Sequence, residues 1–290
     1  MKKSRKLATL GICSALFLGL AACQQQHATS EGTNQRQSSS AKVPWKASYT
    51  NLNNQVSTEE VKSLLSAHLD PNSVDAFFNL VNDYNTIVGS TGLSGDFTSF
   101  THTEYDVEKI SHLWNQKKGD FVGTNCRINS YCLLKNSVTI PKLEKNDQLL
   151  FLDNDAIDKG KVFDSQDKEE FDILFSRVPT EATTDVKVHA EKMETFFSQF
   201  QFNEKARMLS VVLHDNLDGE YLFVGHVGVL VPADDGFLFV EKLTFEEPYQ
   251  AIKFASKEDC YKYLGTKYAD YTGKGLAKPF IMDNDKWVKL

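Results

Sequence analysis

The chain has 290 residues and a formal net charge of −7 at pH 7, with 41% hydrophobic and 11% aromatic residues. This content of apolar and aromatic residues predicts a packed globular core. Nucleic-acid binding depends on neutralising phosphates with lysine and arginine, so the acidic balance excludes nucleic acid as an expected partner. It also disfavours charge-driven binding to anionic lipid or wall polymer.

The first 22 residues have the pattern of an export signal. Four basic residues fall within the first six positions, an apolar run extends from Leu7 to Ala22, and Cys23 follows. A basic start, a short apolar segment and small residues before a cleavage site are typical of a signal peptide. The run is shorter than the roughly 20 residues that span a bilayer. An uncleaved signal anchor is the alternative interpretation.

Residues 20–23, Leu-Ala-Ala-Cys, resemble the lipobox of bacterial lipoproteins. The resemblance implies cleavage before Cys23 and diacylation of its sulfur, and two acyl chains anchor a protein stably. The expected location is therefore the extracytoplasmic face of the cell membrane, with the membrane as partner through this lipid. Removing residues 1–22 takes away four basic and no acidic residues, so the formal charge of the mature chain becomes −11.

A polar tether and one folded domain are expected after the lipidation site. Residues 23–44 begin with the lipidated cysteine and are rich in Gln, Ser and Thr. Such a segment buries too little apolar surface to fold, which predicts a disordered tether. Residues 45–290 are expected to form a single globular domain.

Helical patterns dominate the first part of this domain. A Ser-Thr-Glu-Glu capping box predicts a helix that begins at Ser57, and Asp70-Pro71 predicts the start of a second helix that reaches Tyr84. Further helices are expected over residues 106–116 and 126–135. The region from 141 to 205 is charged and also helical in character.

The last third changes to the two-residue alternation typical of strands. Residues 207–215, 220–232 and 236–245 predict three strands, and the Asp-Gly pair before the third is a hairpin signal. A short helix is expected from Ser256 to about Tyr263. Helices followed by an antiparallel meander predict an α+β fold, with a helical N-terminal part packed on a C-terminal antiparallel sheet.

Three cysteines remain once Cys13 leaves with the signal and Cys23 takes the lipid. They are Cys126, Cys132 and Cys260. An odd number leaves at least one thiol free or paired outside the chain, and exported proteins seldom keep such a thiol without a use. The sequence leaves open whether Cys132 and Cys260 form a disulfide.

Cys126 has the surroundings expected of a nucleophile. Asn125 before it predicts a helix cap, and Arg127 after it adds positive charge. The unpaired N–H groups and positive dipole of a first helical turn favour a thiolate, so the pKa of Cys126 should fall. Asn125 and Arg127, and less directly Tyr84 and Asn85, are candidates for contacting an oxyanion or substrate. A small hydrophobe buried at a helix start is the alternative.

His226 and Glu241 are the candidate partners of this cysteine. His226 lies between glycines in a strongly apolar strand, and glycine inside a strand often marks the close approach of another group. Glu241 interrupts the next strand where the hairpin folds back, so its carboxylate could orient the imidazole. Asp215 is a rival for that role. The alternatives are a structural histidine and a surface carboxylate paired with Lys242 or Lys253.

A cysteine at a helix start, a histidine in a His-Val-Gly-Val strand and a polar residue in the next strand resemble the NlpC-type papain-like peptidases. Those enzymes cleave cell-wall peptides and related amides. The resemblance covers about residues 125–130 and 220–250. It implies a papain-like fold with Cys126 as nucleophile, His226 as base and Glu241 as orienting residue, and no metal or organic cofactor. The third residue is commonly histidine in that family.

A second resemblance spans most of the mature chain and points to an uncharacterised Gram-positive lipoprotein family, domain of unknown function 4300. The segments that carry it are residues 83–85, 125–127, 225–230, 241–242, 248–251 and 279–282. It implies the extent of the domain and its compartment but no activity. Two functions therefore stay open: a cysteine hydrolase of peptide or amide bonds, with those of the cell wall as one substrate class, and a non-catalytic lipoprotein that binds a peptide or protein partner.

Overall fold

The structure, a computed structural model, describes residues 46–100 and 103–290. The predicted signal peptide, the lipidation site Cys23 and the tether up to residue 44 lie outside the described residues. In the described part, the α-helices are α1 Gln55–Ser66, α2 Pro71–Val88, α3 Val107–Lys118, α4 Cys126–Leu134, α5 Phe151–Gly160, α6 Ser165–Leu174, α7 Val186–Phe197 and α8 Lys257–Lys267. None of these helices has the length and apolar character needed to cross a membrane.

The strands of the described part are β1 Ala47–Thr50, β2 Thr98–Ser99, β3 Val138–Thr139, β4 Val178–Pro179, β5 Gln201–Phe202, β6 Arg207–Asp215, β7 Tyr221–Ala233, β8 Gly236–Lys242, β9 Tyr249–Phe254, β10 Phe280–Asp283 and β11 Lys286–Val288. Nine of them form one antiparallel sheet in the order β11-β10-β6-β7-β8-β9-β1-β2, with β4 added beside β7. Strands β3 and β5 pair separately. Helices packed on a large antiparallel sheet confirm the predicted α+β class.

Capping side chains explain where most helices begin. At six of the starts, a side-chain oxygen accepts a hydrogen bond from the backbone N–H three residues on, and these caps are Asn54, Asp70, Asp106, Asn125, Asp164 and Ser256. The predicted start of α1 at Ser57 is wrong. Asn54 is the cap and accepts from the Ser57 amide at 2.9 Å, while Ser57 is buried inside the helix. Asparagine caps a helix as well as serine does.

The sheet extends beyond the three predicted strands, and not all of it is C-terminal. Strand β1 pairs with β9 from Ala47↔Phe254 to Thr50↔Ala251, and β10 pairs with β6. The predicted third strand ends three residues early, at Lys242, because the chain turns there toward β9. A four-residue strand such as β1 shows too little alternation to be recognised, so its pairing was not predicted.

Helices cover both faces of the sheet. Side chains of a strand point alternately to its two faces. On one face, Val227, Val229 and Val240 pack in a cluster with buried residues of α1 to α7. On the other, Leu230 and Phe239 pack in a cluster with buried residues of α8. The candidate residues of β7 and β8 are therefore placed between two helical layers.

A β-bulge lies directly before His226. The register of β7 with β6 shifts between Val211 and Val212, and Gly225 is the extra residue. A Cβ added to Gly225 would lie 2.3 Å from Cδ1 of Leu213, so only glycine fits here without displacing that side chain. Bulges re-aim neighbouring side chains and are frequent beside functional sites.

Candidate active site

Cys126 is the first residue of α4, and its position is set by the cap before it. The Asn125 side chain accepts a hydrogen bond from the Ile128 amide at 3.1 Å and donates to Asp153 Oδ1 at 2.7 Å. Cys126 is 5% exposed. The sulfur therefore lies at the positive end of a capped helix, where a thiolate is stabilised.

Arg127 ties the start of α4 to two other elements. Its Nε and Nη2 donate to the two oxygens of Asp153 at 2.9 and 2.7 Å, and its Nη1 donates to the carbonyl oxygen of Val224 at 3.0 Å. Asp153 belongs to α5 and is fully buried. The guanidinium is thus engaged with the protein, and it contributes charge near Cys126 instead of an open substrate contact.

His226 and Glu241 form a buried pair on the α8 side of the sheet. Glu241 Oε2 lies 2.5 Å from His226 Nε2, and neither side chain is more than 2% exposed. The ring of Tyr268 stacks on the His226 ring, with centroids 4.8 Å apart and an interplanar angle of 23°. The alternative interpretation of Glu241 as a surface carboxylate is therefore wrong.

Cys126 and His226 lie close enough for each to shift the pKa of the other. Burial raises the pKa of the Cys126 thiol, but the proximity and charge of His226 and the nearby Arg127 more than offset this, and the pKa is lowered. Burial lowers the pKa of His226, while Cys126 and Glu241 together raise it. Since Nε2 faces Glu241, Nδ1 is the nitrogen left for the sulfur. These shifts favour a thiolate–imidazolium pair.

The two residues come from different layers and meet where β7 and β8 separate. Cys126 packs with the α1–α7 cluster, whereas His226 faces the α8 side with Leu230. The β7–β8 register extends only as far as Val229↔Val240. Beyond it, Ser130 Oγ of α4 donates to the carbonyl oxygen of Val227 at 3.2 Å. Helix α4 thus contacts β7 beyond the end of the β8 pairing.

Two residues of α8 complete the surroundings of Glu241. The Tyr263 hydroxyl donates to Glu241 Oε1, and Lys267 Nζ lies 3.6 Å from the same oxygen. Burial raises the pKa of Glu241, but Lys267, His226 and Tyr263 lower it to about 2. Neither residue was predicted as part of the site, because nothing local in α8 indicates His226, and Lys267 lies one turn beyond the helix end predicted at Tyr263.

Tyr84 and Asn85 are not brought into contact with this group. Asn85 donates both amide hydrogens, to the carbonyl oxygens of Asn51 at 2.9 Å and Leu52 at 2.8 Å, so none is left for an oxyanion. The Tyr84 hydroxyl donates to the carbonyl oxygen of Glu246. Both side chains hold loops in place, and the predicted role of oxyanion donor has no geometric support.

Lys242 follows Glu241 in β8 and points to the opposite face. Its ammonium group donates to the carbonyl oxygens of Thr244 at 2.8 Å, Phe245 at 3.2 Å and Glu247. It also lies 4.2 Å from the centroid of the Tyr84 ring. Burial lowers the pKa of Lys242 to about 7, against the opposing effect of nearby acidic residues. Lys242 therefore holds the loop between β8 and β9 from inside the protein.

A cleft of about 160 Å³ lies between this loop and the connector that leads to Cys126. Its lining residues, three of them aromatic, are Tyr84, Ile110, Ser111, Trp114, Asn115, Val122, Phe245 and Glu246. Neither Cys126 nor His226 lines it, and His226 is only 1% exposed. A substrate carbonyl would reach the sulfur only if neighbouring side chains move.

The other predicted candidates lie elsewhere. Asp215, the rival orienting residue, is at the far end of β6 opposite Tyr221. Cys132 and Cys260 are free and buried, without a disulfide between them, and burial raises the pKa of Cys132 to about 12. Among the described residues, no group of three or more His, Cys, Asp or Glu side chains is placed to hold a metal ion.

Fold and site together define an α+β protein with an interior cysteine–histidine–glutamate arrangement between two helical layers. The chain belongs to the family described as Domain of unknown function (DUF4300), whose model matches residues 48–288 and so extends from β1 to β11. Comparison with curated proteins and with solved structures gave no match.

Proposed function

We propose that this protein is a cysteine hydrolase of peptide or amide bonds, carried on the extracytoplasmic face of the cell membrane by a lipid on Cys23. The observation that carries the proposal is the series Cys126–His226–Glu241, in which His226 hydrogen-bonds to Glu241 and lies close enough to Cys126 to lower the pKa of its thiol. A nucleophile, a base and a third group that orients the base are the elements of covalent acyl transfer. A cysteine on a helix with its base and acid on neighbouring strands supports a papain-like relationship.

In the proposed reaction, the Cys126 thiolate attacks the carbonyl carbon of the substrate and forms a C–S bond. First-turn amides of α4 stabilise the oxyanion. Collapse of this adduct breaks the C–N bond, and the His226 imidazolium gives its proton to the departing amine. His226 then takes a proton from water, whose oxygen attacks the thioester. The C–S bond breaks, a carboxylic acid leaves, and the thiolate–imidazolium pair is restored.

The predicted location outside the membrane indicates which amide substrates are within reach. Leu-Ala-Ala-Cys at 20–23 and the polar segment after it support a domain tethered outside the membrane, where cell-wall peptides are the nearby amides. The local resemblance to NlpC-type peptidases, which cleave cell-wall peptides, supports the same substrate class.

A non-catalytic lipoprotein that binds a peptide or protein partner is the second candidate. The observation that favours it is the enclosure of the site, since Cys126 and His226 are 5% and 1% exposed. The aromatic cleft between Trp114 and Phe245 would then be the binding surface.

Alkylation of Cys126 by iodoacetamide, measured against pH, separates the two candidates. A hydrolase is expected to show alkylation that persists well below the pKa of about 8.5 of an ordinary thiol. Cys132 and Cys260 are internal controls, because burial raises the pKa of both thiols. A Cys126 that titrates like a free thiol would overturn the proposal. Loss of wall-peptide hydrolysis in Cys126→Ala tests turnover directly.

A further inference from the structure

Three residues at the end of α8 surround the His226–Glu241 pair. Tyr263 donates its hydroxyl hydrogen to Glu241 Oε1. Lys267 Nζ donates to the Tyr263 hydroxyl at 2.8 Å and lies 3.6 Å from Glu241 Oε1. Tyr268 stacks on the His226 ring at 4.8 Å. Tyr263, Lys267 and Tyr268 are called the α8 clamp below.

The α8 clamp offsets the free-energy cost of burying an ionised carboxylate at Glu241. The Glu241 side chain is fully buried, and burial alone favours the neutral acid, which would be a poorer acceptor for an imidazole N–H. Tyr263 and Lys267 are four residues apart, so they share one helix face and reach the same carboxylate oxygen. Oε2 is thereby left to accept from His226.

We propose that the α8 clamp is the positioning element of the site: Tyr263 and Lys267 hold Glu241 as the acceptor for His226, and Tyr268 fixes the plane of the imidazole. The clamp acts on the base of the proposed hydrolase and in that sense rests on the proposed function. Its members act through Glu241 and His226, so they are positioning residues.

Other groups near Glu241 do not supply the positive charge that keeps its carboxylate ionised. Cys260 of α8 and Tyr105, which precedes α3, lie within electrostatic reach of the carboxylate. Burial raises the pKa of both groups, so both are neutral near neutral pH. His226 and Lys267 are the cations that act on Glu241.

The test follows the Nε2–H proton of His226 by NMR in the full-length chain as pH is lowered. The hydrogen bond to Glu241 gives this proton a downfield resonance, which is assigned by its absence in His226→Gln. Protonation of Glu241 removes the acceptor and the resonance. Lys267→Met is expected to raise the pH midpoint of this loss by about one unit, the lower end of the effect of a nearby opposite charge, because Lys267 is about one-third exposed. Lys267→Arg is expected to restore it.

Matched controls come from the same helix. Lys262→Met removes an equal charge, but Lys262 pairs with Asp259 at 3.8 Å, so the midpoint should stay at the wild-type value. Tyr263→Phe should raise the midpoint, whereas Tyr261→Phe should not, because Tyr261 donates to Asp283. If Lys267→Met and Lys262→Met both keep the wild-type midpoint, the clamp is overturned.

Tyr268 is tested by exchange of the same proton with water. Tyr268→Leu removes the stacked ring and is expected to speed exchange several-fold, while Tyr268→Phe keeps the ring and should match the wild type. Unchanged exchange in Tyr268→Leu overturns this part of the proposal.

The clamp proposal and the hydrolase proposal are contradicted by different measurements. A Cys126 that titrates like an ordinary thiol removes the hydrolase and leaves the midpoint shift of Lys267→Met in place. An unshifted midpoint removes the clamp and leaves a reactive Cys126 in place.

Discussion

Glu241 and Lys242 are adjacent in β8, yet their charged groups lie in opposite layers of the protein. Glu241 contacts His226 on the α8 side, and Lys242 lies against Tyr84 on the other side. Because strand side chains alternate, one short segment supplies both the orienting carboxylate and the cation that holds the β8–β9 loop. The two charges are therefore predicted to affect different properties.

Lys242 should make stability depend on pH in the alkaline range. Its folded pKa of about 7 lies below the unfolded value of 10.5, so the unfolded chain binds more protons between these values. The free energy of unfolding should therefore rise with pH from about 7 toward 10.5, by at most about 1.4 kcal/mol per pH unit. Urea unfolding of wild type and Lys242→Met between pH 7 and 9 measures this, with Lys253→Met, at a partly exposed lysine, as the control. Equal slopes in wild type and Lys242→Met would contradict the prediction.

Glu241 should act in the acid range, where the free energy of unfolding again rises with pH. Its folded pKa of about 2 lies below the ordinary value of 4.5, so its contribution is full above about pH 4.5 and is lost as pH falls toward 2. The difference in unfolding free energy between wild type and Glu241→Gln should be constant above pH 5. Below that it should shrink by at most about 1.4 kcal/mol per pH unit. A difference that stays constant down to the pH of acid unfolding would count against a charged Glu241.

Local patterns predicted the elements that carry the candidate residues. Strand β6 has the predicted bounds, β7 differs by one residue at each end, and α4 begins at Cys126 because Asn125 caps it. Each of these depends on neighbours within a few residues.

Contacts between distant segments could not be predicted in the same way. The pairing of β1 with β9 joins residues about 200 positions apart, and the stacking of Tyr268 on His226 depends on α8 lying across the sheet. Neither leaves a periodic signal in one window of sequence. The end of the β7–β8 pairing, through which α4 reaches His226, is also a property of the assembled sheet.

The Arg127–Asp153 pair should be worth more than the surface ion pairs. Both residues are mostly buried, at 15% and 1% side-chain exposure, and removing one partner leaves an uncompensated charge inside the protein. Asp153→Asn is expected to lower the free energy of unfolding by about 3 to 5 kcal/mol, as measured by urea denaturation. Lys159→Met breaks exposed pairs with Asp120 and Asp155 and should lower the free energy of unfolding much less, because exposed ion pairs contribute little. Similar decreases in the free energy of unfolding in both variants would show that burial does not determine how much an ion pair stabilises this protein.

The bulge at Gly225 should be sensitive to a single added methyl group. In Gly225→Ala the new Cβ would lie 2.3 Å from Cδ1 of Leu213, and relieving such an overlap displaces the packed Leu213 side chain next to His226. We expect a loss of about 1 to 3 kcal/mol in the free energy of unfolding. Gly273→Ala is the control, because its Cβ would find the nearest atom of Leu276 at an ordinary 3.4 Å.

A double-mutant cycle with Leu213→Ala separates this overlap from a conformational cost of the bulge itself. If the overlap is the cause, adding alanine at residue 225 in the Leu213→Ala background should cost almost nothing, because the clashing atom is gone. If the backbone needs glycine for its conformation, the loss should be the same in both backgrounds, and the steric explanation of this glycine is wrong.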